Sequence, residues 1–221
     1  MKYAFYLGVL VCLTTIQCTE KKPQQSNDEL VDKREAQVAK PLVRAEKVEN
    51  SHEKVWDMGD FLSCKNVEQL AERVGQSNLR HAVELFEEGT VEKEVTWLYK
   101  GSDDELHFVW NTEGPTISCS HPKSKWTYKG LKCGTSLLTL TALNGGAIHF
   151  SGFGWDYGGC VLPGDGQVDK MDAELVMQAS KECPNIEMLT GDRRLSTDVL
   201  CEEQLEHIHI SRISIGVDVY K

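Results

Sequence analysis

Ser136-Leu137-Leu138-Thr139-Leu140-Thr141-Ala142-Leu143-Asn144-Gly145 is the stretch that decides the fold. Thr135 or Ser136 supplies a capping hydroxyl, Leu137, Leu140 and Leu143 recur at helical spacing, and Gly145 stops the run. The same order occurs upstream. Asn66 is an N-cap residue with Gln69 in the capping-box place, Val67, Leu70 and Val74 share a face, and Gly75 ends the helix. Setting Leu70…Gly75 over Leu140…Gly145 aligns both helices and brings Cys64 and Cys133 within one place of each other.

Strand patterns follow the first helix at 79–86 and 91–99. In the second, Val91, Val95, Trp97 and Tyr99 lie on one face. Gly101-Ser102-Asp103-Asp104 is a turn, after which Leu106, Phe108 and Trp110 alternate with His107 and Val109. A short strand over 116–120 leads into the Pro122 loop. Two units of helix plus antiparallel sheet argue for an α+β fold, repeat one spanning about 55–120 and repeat two about 126–221. The last third predicts an added helix over 172–181, stopped by Pro184, and a loop around Gly191-Asp192-Arg193-Arg194. A final strand follows over 207–219. Its apolar phase slips between Ile208, Ile210 and Ile213, Ile215, which predicts a bulge near Ser211-Arg212.

Upstream of these units the chain has a different character. Lys2 is followed by an apolar run to Ile16, then Cys18 and an abruptly polar stretch. This reads as a signal peptide over 1–17 ending at a lipid-attachment site, Cys18, because the apolar run is too short to span a bilayer. Cys12 would leave almost no apolar region. The rival is a secreted, non-lipidated protein cleaved near Cys18. Residues 18–54 are dominated by Lys, Glu, Gln, Asp and Asn, and read as a polar tether with a transient helix at 28–39. The folded domain is expected over 55–221.

The chain carries 24 Lys and Arg against 34 Asp and Glu, a formal net charge of −10. No basic stripe interrupts this, which argues against nucleic acid and against electrostatic attraction to an anionic membrane. The expected membrane attachment is the lipid. Beyond Cys18 lie Cys64, Cys119, Cys133, Cys160, Cys183 and Cys201, an even set that permits disulfides in an exported chain. Cys183 and Cys201 form the local pair easiest to close. There is no Cys-x-x-Cys pair, Gly-x-Ser-x-Gly, His-Glu-x-x-His or phosphate loop.

Four constellations have a chemical and a plainer reading. Phe150-Ser151-Gly152-Phe153-Gly154-Trp155-Asp156-Tyr157-Gly158-Gly159-Cys160 is a recognition surface of Phe153, Trp155 and Tyr157 with Asp156 as polar contact, or a glycine-kinked core strand. On the core reading, Trp155→Ala would cost about 3–5 kcal/mol. His207 and His209 would share one strand face and could ligate zinc or copper; no third ligand is near, and a solvated face is the plainer reading. Asp165, Asp169, Asp172 and Glu174 lack a calcium-loop register, and Pro163-Gly164-Asp165-Gly166 is a turn signal. Cys133-Gly134-Thr135-Ser136 is similar to a papain-type nucleophile segment, but lacks the expected second cysteine and aromatic and opens the leucine-bearing helix. No catalytic residue and no cofactor is expected.

The run Trp126…Gly130-Leu131-Lys132-Cys133-Gly134-Thr135-Ser136-Leu137…Asn144-Gly145…Gly152-Phe153-Gly154-Trp155-Asp156-Tyr157-Gly158-Gly159 resembles a family of uncharacterised exported bacterial proteins, many of them predicted lipoproteins. The resemblance extends from Asp103-Asp104-Glu105-Leu106 to the terminal strand. It implies export and no transferable activity. The chain departs at Cys133 and Cys160, where the family pattern implies Val, Ile or Thr, which makes these two a candidate local pair. The helix-then-sheet order also distantly resembles outer-membrane-assembly lipoproteins and β-lactamase-inhibitor-like modules. The expectation is a lipid-anchored protein of the bacterial cell envelope, with the outer membrane as destination and a soluble secreted or periplasmic form as the alternative. It would act as a non-catalytic binding or assembly module with an envelope protein as partner. The alternatives are an envelope hydrolase with a cysteine or histidine site, and an inhibitor of a secreted enzyme.

Overall fold

A computed structural model describes residues 56–217. The expected signal peptide, Cys18 and the whole of the tether lie outside them. The fold is α+β, as the alternating patterns require: three short helices and a mostly antiparallel sheet of six strands, with a second sheet of two.

The first unit begins with α1 (Val67–Val74), capped as its sequence demands: the Asn66 side chain accepts from the Gln69 N–H at 3.0 Å. Four strands then meander, β1 (Leu79–Phe86), β2 (Val91–Leu98), β3 (Leu106–Asn111) and β4 (Gly114–Cys119). The second unit begins with α2 (Leu137–Asn144), where Ser136 accepts from Thr139 N–H and Gly145 closes the helix in the left-handed region. It continues through β5 (His149–Ser151), β6 (Ala173–Ala179), β7 (Arg194–Ser196), α3 (Glu202–His207) and β8 (Ile208–Gly216). The large sheet runs β1-β2-β3-β4-β8-β6, and β5 pairs with β7. A helix precedes strands on both sides of residue 120; β4 pairs with β8, so β8 and β6 extend the β1–β4 sheet while β5 and β7 pair apart.

The register sets the core. Leu79, Leu98 and Leu106 lie in one row across β1 to β3. Thr96, Phe108, Ile117, Ile215 and Ala173 form the next row across β2 to β6, and Cys119, Ile213 and Leu175 a third. These side chains are buried with Leu70 of α1 and Leu137 and Leu140 of α2. The expected bulge is present: Val176 faces Arg212 while Met177 faces Ile210, so Ser211 is the extra residue, and its hydroxyl donates to the Val176 carbonyl at 3.0 Å.

Two expectations need correction. Residues 173–179 form strand β6, not a helix; the added helix is α3, further on. His207 is the last residue of α3, so it does not share a strand face with His209. No helix among the described residues is long and apolar enough to cross a membrane.

Candidate binding surface

The glycine-aromatic segment is built by close backbone approach. At Gly152 a Cβ would stand 2.4 Å from the Gly191 carbonyl oxygen; at Gly159, whose φ is +79°, it would stand 2.0 Å from the Met177 carbonyl oxygen. No residue but glycine fits either place without displacing main chain. The absence of side chains lets the segment be stitched on both sides. Gly152 N–H donates to Arg193 O (2.8 Å), Phe153 N–H to Leu189 O (2.8 Å) and Gly191 N–H to Phe153 O (2.8 Å). Met177 N–H donates to Gly159 O (2.7 Å) and Val161 N–H to Leu175 O (2.9 Å), so residues 159–161 lie along the outer edge of β6. That covers part of an edge that would otherwise be open.

The rings do not all follow the backbone inward. Phe150 is buried and Phe153 packs beside it with ring centroids 5.7 Å apart. Trp155 is 36% exposed and Tyr157 67%, and the two meet edge to face at 5.6 Å. The Trp155 indole N–H donates to the Gly152 carbonyl at 2.7 Å, which fixes the ring against its own turn. Asp156 is exposed between them. The four candidate residues are thus held in one short segment, with Phe153 half-buried at its base. Beside it lies a hollow of about 370 Å³ lined by Phe153, Trp155, Gln178, Ala179, Ile186 and Ser211. The core-strand reading, on which all three rings would be buried, is corrected for Trp155 and Tyr157.

The other candidates are accounted for by local structure. His207 Nδ1 contacts the Ser180 hydroxyl at 3.1 Å, and His209 pairs with Gln178 on β6. No group of three or more His, Cys, Asp or Glu residues among those described converges as a metal ligand set would. Asp169 accepts from the Gly164 and Gly166 N–H groups at 2.7 and 3.1 Å and so closes the expected turn. Asp172 faces Lys129 at 3.8 Å and Glu174 faces Arg212 at 3.3 Å.

Cys64, Cys119, Cys133, Cys160, Cys183 and Cys201 are all unbridged thiols. The pairing of Cys133 with Cys160 is corrected: the Cys133 sulfur lies 3.1 Å from the Cys119 carbonyl oxygen, whereas Cys160 sits in the field of Glu174 and Arg212. Burial first, then Glu174, pushes the Cys160 thiol pKa up. Cys183 and Cys201 are neighbours without a bond between them. Gln204 spans them, accepting from Cys201 N–H (3.1 Å) and donating to Pro184 O (3.1 Å). Among the described residues no hydrogen bond joins His149 to Cys133 or Cys160.

Sequence reading missed two features. On the sheet face away from the core, Trp97 stacks on His107 (5.3 Å, 29°), Lys100 lies 3.3 Å from the Trp97 ring centre, and Glu84 is 3.4 Å from His107 Nε2. The alternation that placed Trp97 and His107 on strands was visible; their cross-strand partnership depends on register. A polar hollow of about 790 Å³ between 144–149 and 163–167 brings His149, Asp165, Gln167 and Arg194 together across sequence distances that no motif encodes.

No protein-family model matches the chain, and searches of curated proteins and of solved structures also find no match.

Proposed function

We propose that the chain is an exported envelope protein, lipid-anchored at Cys18, that acts as a non-catalytic binding or assembly module through the segment 153–157. The observation that carries this reading is a loop bonded to neighbouring chain at both ends that exposes two aromatic rings. Its backbone is bonded on both sides, yet Trp155 and Tyr157 face solvent. Tyrosine and tryptophan offer large contact area at small entropic cost, and they dominate binding hot spots. Asp156 between them would supply a directional polar contact, and the adjacent hollow could receive a partner's apolar side chain. Net charge of −10 favours a protein partner over nucleic acid. Attachment through the lipid would hold the module at the membrane without a spanning helix.

Site-specific photo-crosslinking in living cells tests the binding surface. A photoreactive phenylalanine analogue at Tyr157 should give a discrete adduct that Trp155→Ala abolishes, while the same probe at Val199, itself 77% exposed, should not. Equal adducts at both positions, or none at Tyr157, would refute the surface. Anchoring is tested separately by incorporation of a fatty-acid probe, which Cys18→Ala should eliminate.

A further inference from the structure

Cys119 ends β4 and is held in register by Ile213 of β8. Cys133 sits in the loop before α2, and its neighbour Gly134 donates to the Ile210 carbonyl of the same strand at 2.7 Å. One rigid strand thus positions both cysteines. Each is only 1% exposed. The Cys133 sulfur lies 3.1 Å from the Cys119 carbonyl oxygen, and its S–H also reaches the Cys119 sulfur. A sulfur this close to the other cysteine's main chain, with both segments held on β8, puts the pair where a disulfide can form.

The surroundings differentiate the two. The Cys119 sulfur receives the Cys133 thiol, then the Ser124 hydroxyl and the His121 N–H, and the Cys133 hydrogen bond leads in lowering its pKa to about 6 against the opposing effect of burial. Cys133 is pushed far up, by that same hydrogen bond and by burial. The pair shares its protons unequally: Cys119 is the incipient thiolate and Cys133 retains hydrogen. That asymmetry belongs to the seated pair; before the loop seats, either thiol can attack an oxidant disulfide once it is ionised.

We propose that Cys119 and Cys133 form a structural disulfide, made by exchange with a small or protein-borne disulfide oxidant as the chain folds. One thiolate, say that of Cys119, attacks one oxidant sulfur, forming a mixed disulfide and expelling the other sulfur as a thiolate. Cys133, losing its proton, then attacks the Cys119 sulfur, forms the internal S–S bond and expels the second oxidant thiolate. The two protein thiols lose two protons and two electrons; the oxidant gains both, leaving as two thiols. The burial of both sulfurs places this exchange before the 131–134 loop seats on β8. Afterwards the same burial shields the bond from reductants. Formation of the bond in the cell rests on the exported location proposed above. Formation in vitro does not, so the two readings fail separately.

The test refolds the reduced full-length chain with oxidised glutathione, blocks remaining thiols with a maleimide in denaturant, and maps the peptides. The expected result is a Cys119–Cys133 linked peptide lighter by two hydrogens than the reduced pair. The bond closes a loop of about 15 residues, so reduction should lower the unfolding midpoint by roughly 6–12 °C. The double variant C119A/C133A, refolded in parallel, should show no such reduction-dependent shift from this site. Mapping of Cys133 to Cys160, or full maleimide labelling of both Cys119 and Cys133 after oxidative refolding, would overturn the proposal. Should the double variant fail to fold, peptide mapping of the unsubstituted chain alone decides.

Discussion

Gly159→Ala should be among the most damaging single-methyl additions in the protein. The added Cβ would stand 2.0 Å from Met177 O and 2.9 Å from Met177 C, so main chain must move. The backbone there has φ +79°, which costs an L-residue about 1–2 kcal/mol. Separation of the two chains weakens the bonds Met177 N–H to Gly159 O and Val161 N–H to Leu175 O, each worth about 0.5–1.5 kcal/mol net. The combined loss is about 3–4 kcal/mol, or on the order of 10 °C in unfolding midpoint for a domain this size. Gly145→Ala is the internal control. It has φ +73° with nothing within 4 Å of an added Cβ, so only the conformational cost remains, about 1–2 kcal/mol. Thermal and urea unfolding followed by circular dichroism compares the two variants directly. Equal losses would show that the close approach to β6 carries no energy and that backbone conformation alone explains the glycine.

Two further outcomes follow from the geometry. Burial lowers the pKa of His107 below its ordinary 6.5; Glu84 and Glu105 pull it back up, and Lys100 presses it down. The unfolded chain therefore takes the proton first as pH falls, and this source of stability, complete above about pH 6.5, is lost on descent through the folded pKa. The stability gap between the unsubstituted protein and His107→Gln should narrow from pH 8 to pH 5 in urea titrations; a constant gap would sink the assignment. Trp155→Ala should lose about 2 kcal/mol rather than the 3–5 kcal/mol of a buried tryptophan, because the ring is 36% exposed and only its face and its bond to Gly152 are lost. A fall in midpoint beyond about 10 °C in calorimetry would mean that the ring is core in solution.

The elements legible from sequence were those whose signals are local. Asn66 and Ser136 cap the helices that their spacing announces, and the slip at Ser211 is a bulge because period-two alternation leaves no other way to keep Ile210 and Ile213 buried. Residues 173–179 misled because Ala, Glu, Leu, Met and Gln are all good helix formers. Their burial alternates like a strand, with Ala173, Leu175 and Met177 inside, and continuous pairing with β8 overrides the propensity. His207 misled in the opposite sense. Its α3 helix has only six residues, and its one sequence sign is Gln204, whose side chain closes the capping box onto Cys201. For the cysteines, separation along the chain made Cys183 and Cys201 look easiest to join. It could not show that β8 holds Cys119 and Cys133 together.

The aromatic segment illustrates the deeper limit. Its glycines were correctly read as places where backbone meets backbone, because that requirement is local and steric. Whether the rings beside them point inward depends on what covers them, which is set by distant chain: the segment 189–193 on one side and β6 on the other. Both neighbours are consumed by main-chain bonds, and no apolar layer remains over Trp155 and Tyr157. Folding explains the glycines, since they let residues 159–161 cover part of the edge of β6. It does not explain the exposed rings, because a polar residue at 157 would satisfy the same backbone with less apolar surface in water. That excess of exposed aromatic area on a braced loop is the physical reason for seeking the protein's partner there, rather than at His207, Asp169, Asp172 or Glu174, whose side chains already have local partners.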